Sequence, residues 1–239
     1  DIFMGLFELS QSHYVEVRVL AQDSVYLMLN CFPFLETVFV PKLVHELKQP
    51  EIEHKKFKGL LYLVVGRRSF TSIAVYSNWW ILKQLWPALV ESPHSEKPSI
   101  VKLLDRICNL ISKNFDTFEL KYSFPNHIKE IASEVWSKGS LDPTVWPQPD
   151  EQFTDQVTEQ VKHRNAQRLR DYEELVLKLV ELIENPHLHW HRRIVAHCLF
   201  TQLMRDDHTL PVQVLDLCLN SLISERLSVR NKAVTLVSA

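Results

Sequence analysis

Residues 40–64, VPKLVHELKQPEIEHKKFKGLLYLV, decide the fold. They read as two helical segments divided by a polar turn around Pro50, and the first carries Pro41 in its interior. Proline inside a helix costs about 3 kcal/mol, because an amide donor is lost and the ring presses on the preceding turn. A sequence that keeps one there is expected to bend its helix. The second segment opens on His54-Lys55-Lys56-Phe57-Lys58, passes through Gly59 and runs into the apolar stretch LLYLVV. Lys56 thus stands three residues before Gly59.

The same arrangement recurs outward from this stretch. In HYVEVRVLAQDSVYLMLNC, residues 13–31, Arg18 stands three before Ala21, and Lys56 and Gly59 each follow 38 residues later. In HRRIVAHCLF, Arg193 precedes Ala196 by three, and Arg230 and Ala233 of SVRNKAVTLV follow 37 residues on. A period near this length belongs to stacked two-helix repeats. The small residue lets neighbouring helices approach, and the basic one reaches over the helix edge to polar groups of the adjoining turn. The first helix of each pair is legible as well: FPFLETVFVPKLVHELKQ with Pro41, NWWILKQLWPALVES with Pro87, and LPVQVLDLCLNSLIS with Pro211 in its first turn, where proline is tolerated. Within residues 13–31, Val15, Val19, Val25, Leu27 and Leu29 are expected to form the apolar face. A proline-bent first helix, a short turn and a second helix carrying basic-x-x-small resemble a HEAT repeat. The expectation is an all-α, HEAT-like α-solenoid of about eleven helices, in stacked antiparallel pairs.

Composition agrees. Of 239 residues, 46% are hydrophobic and 23% charged, the range of ordinary globular chains. Only four are glycine, too few for hairpin turns or phosphate-cradling loops. A net charge of −2 supplies no basic field for nucleic acid, and no direct nucleic-acid contact is expected. The longest apolar run, Leu60 to Val65, is far short of a membrane span, so no membrane partner is expected. Cys31, Cys108, Cys198 and Cys218 each lie in an apolar helical stretch and read as buried free thiols in a reducing compartment. Both ends fall inside helical patterns, as expected of a piece of a longer chain. Residues 1–138 are expected to form repeats, with helices at 97–114 and 125–138. Residues 139–149 read as a proline-containing loop, and 150–239 as one long helix, or two shorter ones over 150–184, followed by further repeats of one continuous solenoid.

Catalytic patterns are missing: no nucleophile elbow, Walker loop or dinucleotide fingerprint occurs, and Gln49 stands where a zinc-protease motif begun by His45-Glu46 needs its second histidine. No metal and no required cofactor are expected. His187, His189, His191, His197 and Cys198 tempt a zinc reading, but they straddle a helix start that would scatter them, and a solvated, partly capping cluster is the better reading. Lys55, Lys56 and Lys58 crowd a helix N-terminus, whose free amides favour negative charge, and Arg67 and Arg68 follow the same helix at its far end. These five are the candidate anion-binding residues. Lys162, His163, Arg164, Arg168 and Arg170 follow an acidic run, a pattern of solvent-bridging helices or docking surfaces. The tryptophans are expected in the core between helices, with Trp146 the most exposed.

The segments LFELSQSHYVEVRVLAQDSVYLMLNCFPFLETVFVPKL and KFKGLLYLVVGRRSFTSIAVYSNWWILKQLWPALVES resemble the very large single-chain proteasome activators, and the likeness extends through essentially all residues at the level of a known member itself or a close orthologue. The resemblance implies a solenoid dome that caps the 20S core particle, opens its gate and favours ubiquitin-independent degradation, including that of acetylated histones, in nucleus and cytoplasm. It also implies inositol phosphates as ligands at positively charged openings, for which Lys55, Lys56, Lys58, Arg67 and Arg68 are the compatible positions. The gate-engaging tail of that family, with its penultimate tyrosine, has no counterpart at Leu236-Val237-Ser238-Ala239, and its acetyl-lysine-reading region is not recognisable. Another HEAT scaffold or transport adaptor is the rival reading.

Overall fold

The computed structural model describes residues 2–66, 72–93, 95–116, 130–131, 134, 151–205, 208–209 and 211–237. Among them are ten α-helices of a full two turns or more and no strand. They are α1 (Ile2–Leu9), α2 (Val15–Cys31), α3 (Glu36–Leu47), α4 (His54–Val65), α5 (Trp79–Glu91), α6 (Pro98–Asn114), α7 (Glu151–Glu184), α8 (Trp190–Phe200), α9 (Val212–Leu222) and α10 (Leu227–Val237). The expected helix at 97–114 begins one residue later, on Pro98. Of the two alternatives expected over 150–184, Glu151–Glu184 form one helix. The loop at 139–149, and most of the helix expected at 125–138, lie outside the described residues. No single described helix is long and apolar enough to cross a membrane.

The chain divides into two compact units, Asp1–Thr117 with Glu173–Ala239, and Phe118–Tyr172. In the first unit the helices stack in two layers, as an all-α solenoid. The first helices of successive pairs meet each other: Phe3 and Phe7 of α1 hold Phe39 of α3 edge-to-face, α3 packs on α5, and Lys83 of α5 pairs with Glu174 of α7 at 2.7 Å. The second helices form the other layer, α4 on α6, α6 on α8 and α8 on α10. Gln22 of α2 donates to the Gly59 carbonyl of α4 at 3.2 Å, and the Tyr26 hydroxyl donates to the Leu63 carbonyl. Burial, with Tyr76 nearby, pushes the Tyr26 phenol far above its ordinary pKa, so it stays a neutral donor.

Helical periodicity accounts for these faces. Phe39, Val40, Leu43 and Leu47 line the buried side of α3, and Ile100, Leu103, Leu104, Ile107 and Ile111 that of α6. Each such side chain, fully buried, contributes about 1.5–3 kcal/mol. The helices continue through Pro41 and Pro87, and Pro211 takes the N-cap of α9, one residue before its first turn. In α2 the expected apolar face needs correction. Ala21, Gln22, Val25, Tyr26 and Leu29 are buried, whereas Leu27 points outward, because a shift of two residues from Val25 or Leu29 turns a helix by about 200°; Val15, the first residue of the helix, is exposed as well. Cys31 is likewise exposed, at the C-terminal end of α2; Cys198 and Cys218 are buried and Cys108 half-buried, and none of the four is in a disulfide. Trp79 and Trp86 meet Phe115 in the core, but Trp190 is 50% exposed; Trp136 and Trp146 lie outside the described residues.

Candidate functional site

The repeated basic residue does what its spacing implies. Arg18 donates to the Ser12 carbonyl at 2.8 Å and Arg230 to the Ser224 carbonyl at 2.7 Å, each six residues back in the turn between the two helices of its pair. Arg193 reaches the Asn185 carbonyl at 2.7 Å in the corresponding turn. Lys56 instead pairs with Glu46 of the preceding helix at 2.7 Å. The small residue of each motif is buried, and at Gly59 the approach is close. A Cβ there would stand 3.0 Å from Gln11 Cα and 3.2 Å from the Ser10 carbonyl oxygen.

The five candidate anion-binding residues do not act as a set. Lys55 is exposed. Lys56 shares the Glu46 carboxylate with Lys42, at 2.7 and 2.9 Å. Burial raises the Glu46 pKa, but hydrogen bonds and charge from Lys56 and Lys42 outweigh it and hold the carboxyl below its ordinary value. Lys58 turns the other way, its ammonium 5.9 Å from the centre of the Tyr62 ring, with the Arg18 guanidinium 6.0 Å from the same centre. Arg67 and Arg68 lie outside the described residues. The N-terminus of α4 also has acidic company, since Glu53 lies 3.6 Å from His13. Burial, then the charges of Lys97 and Lys58, lower the His54 pKa against the opposing charge of Glu53.

What the fold does bring together is a cleft of about 300 Å³ between α2, α4 and α6, lined by Arg18, Gln22, Tyr62, Gly66 and Arg106. Gly66, at φ 78°, ends α4 in the left-handed region that favours glycine. Two guanidinium groups beside an aromatic ring, with no carboxylate in the lining, are suited to a carboxylate or phosphate. Sequence reading treated Arg18 as a repeat marker and passed over Arg106. Their common cleft carries no sequence signal, because it depends on three second-layer helices lying side by side.

The histidines diverge. His189 caps α8 by accepting from the His191 amide at 3.3 Å, the capping role expected of the cluster. His191 faces Asp105 at 3.5 Å and His197 is buried. Among the described residues no three His, Cys, Asp or Glu side chains converge as a metal site. On α7, Lys162 pairs with Glu159 at 2.6 Å and Arg170 donates to Gln167 at 2.7 Å, both within the helix. The most deeply placed cation among the described residues escaped notice in the sequence. Arg192, 2% exposed, donates to the carbonyls of Leu89 at 3.3 Å and Pro93 at 2.6 Å, where α5 ends. The Leu89 carbonyl, in the last turn of α5, carries the negative end of the helix dipole.

No protein-family model matches the chain. It is 31% identical over 247 aligned residues to human proteasome activator complex subunit 4 and 30% identical over 246 to that of Xenopus laevis. Proteasome activator complex subunit 4B of Danio rerio is 27% identical over 246. Each match takes in the whole chain, and the chain spans 13% of the length of these curated relatives. The expected whole-chain resemblance is therefore present, at an identity lower than that of a close orthologue.

Proposed function

We propose that this chain, similar from end to end to a segment of proteasome activator complex subunit 4, is a non-catalytic section of the solenoid of a proteasome activator. In this reading the whole protein caps the 20S core particle, opens its gate and promotes ubiquitin-independent degradation, acetylated histones among its substrates, in nucleus and cytoplasm. The observation that carries it is the 31% identity to the human relative over the full length of the chain. Two layers of stacked helices support it, because such a stack supplies curvature and surface and no reactive constellation. The test mixes the full-length protein with purified 20S particles, resolves them on a native gel and assays the bands for hydrolysis of a short fluorogenic peptide. A slower band with raised hydrolysis is expected. Unshifted particles at low salt would leave the fold intact and return the chain to the general HEAT scaffolds or transport adaptors.

Inositol phosphates are the proposed ligands of the positive surface, with no cofactor required. The geometry favours Lys58, together with Arg18 and Arg106 of the cleft, over Lys56, whose charge is already shared with Glu46. Lys55, Arg67 and Arg68 remain part of the proposal. Inositol hexakisphosphate is expected to raise the unfolding temperature of the full-length protein. Arg106→Ala should reduce that shift more than Lys56→Ala; the reverse order would discard the cleft.

A further inference from the structure

Cys108 and Cys198 stand on neighbouring helices of the second layer, α6 and α8. The Cys198 sulfur lies 3.5 Å from Ser112 Oγ and 3.9 Å from the carbonyl oxygen of Cys108. Ser112 is four residues beyond Cys108 and shares its side of α6, so the Cys198 sulfur rests against the strip from which the Cys108 side chain projects. Neither sulfur is in a disulfide; Cys108 is half-buried, and Cys198 is 7% exposed.

The third participant is Arg192. Both groups that its guanidinium meets through hydrogen bonds are neutral carbonyls, and its buried Nε–H has no hydrogen-bond partner. Burial lowers its pKa to about 10 and the charge of Cys108 acts to raise it, so thiol and guanidinium lie within electrostatic reach. A cation within electrostatic reach favours ionisation of a thiol, and thiolate is the form that attacks peroxide.

We propose that Cys108 and Cys198 are a peroxide-responsive thiol pair, oxidised to a disulfide that staples α6 to α8. The Cys108 thiolate attacks one oxygen of hydrogen peroxide and the O–O bond breaks; the departing hydroxide takes a proton and leaves as water, and Cys108 becomes a sulfenic acid. The Cys198 sulfur then attacks the Cys108 sulfur. The S–S bond forms, the S–O bond breaks, and the released hydroxide takes the Cys198 proton as a second water. Two thiols lose two electrons and one peroxide gains them. Exposure and the guanidinium assign the first step to Cys108, and the buried Cys198 resolves it. The link would tie the second helix of one repeat to that of the next, restraining the angle between them.

The test exposes the native full-length protein to graded hydrogen peroxide, blocks remaining thiols with N-ethylmaleimide, and digests it without reductant for mass spectrometry. Peptides containing Cys108 and Cys198 are expected to appear joined, at doses below those that oxidise the exposed Cys31, and to separate with dithiothreitol. Arg192→Met should slow the linkage several-fold, while Arg192→Lys, which keeps a cation, should slow it less. Both cysteines recovered unlinked at doses that oxidise Cys31 would overturn the proposal, as would Cys108 accumulating as sulfinic acid beside an intact Cys198 thiol. These readouts come from the unsubstituted protein, so they hold even where Arg192→Met does not fold. Equal rates in the two Arg192 variants would overturn the part assigned to the guanidinium.

Discussion

Gly59 and Glu46 show how single residues hold one repeat to the next. Alanine in a helix is normally favoured over glycine by about 1 kcal/mol. At Gly59 the added methyl would press on backbone atoms of Ser10 and Gln11, which have no side-chain freedom with which to yield. Overpacking of this kind costs about 1–3 kcal/mol, so Gly59→Ala is expected to destabilise on balance. At Gly5 nothing lies within 4 Å of the added carbon, and Gly5→Ala should stabilise by about 0.5–1 kcal/mol. Opposite shifts of the urea midpoint check the pair; a stabilising Gly59→Ala would remove the close-approach account. Glu46 adds a pH dependence. Its carboxyl is held below the ordinary value of 4.5, so the folded state gains from its ionised form above that value and loses the gain as pH falls through the depressed pKa. Glu46→Gln is expected to cost about 1 kcal/mol at neutral pH, with the gap closing in acid. A gap that persists at low pH would mean that packing, not charge, is what the substitution removes.

Between elements, the arginines differ in reach and therefore in weight. Arg18 and Arg230 tie a second helix to the turn of its own pair, whereas Arg192 crosses to the end of α5, a different repeat. Removing Arg192 takes the charged donor from the Pro93 carbonyl and leaves Leu89 with the Ser92 hydroxyl alone, and Arg192→Met is expected to cost about 1–3 kcal/mol. Lysine presents a point charge in place of a planar fork and should recover only part of that loss. Arg18→Ala and Arg230→Ala should each cost about 1 kcal/mol, and additively, since the first and last pairs share no partner. Amide exchange offers a sharper readout: Arg192→Met should deprotect the last turn of α5 more than its centre. Uniform deprotection along α5 would count against a local capping role.

At the scale of the whole molecule, the first and last helix pairs leave apolar surface uncovered. Leu20 is 68% exposed and Val15 61% on α2, Val212 70% on α9, and Ile223 81% just beyond it. A two-layer stack buries the faces between its repeats and has nothing of its own to cover the outer ones. The isolated 239-residue chain is therefore expected to self-associate, and Leu20→Gln combined with Ile223→Gln should lower its weight-average mass in sedimentation. A monodisperse monomer at high concentration would show that these faces are not adhesive.

The all-α class, the second helices and the spacing of their basic and small residues were legible in the sequence, because helical periodicity and a repeat period are local properties of the chain. Arg18 and Arg230 could be assigned to their turns for the same reason: their partners lie six residues away. The single length of α7 was not settled by pattern, since its polar first half and amphipathic second half permit either one helix or two. Which face of α2 is buried, the division of Lys56 from Lys58, the joining of Arg18 to Arg106 and the reach of Arg192 into α5 were decided by tertiary structure alone. Each depends on the side of a helix that meets a neighbour distant in sequence, and a turn of 100° per residue separates a buried side chain from an exposed one within two positions.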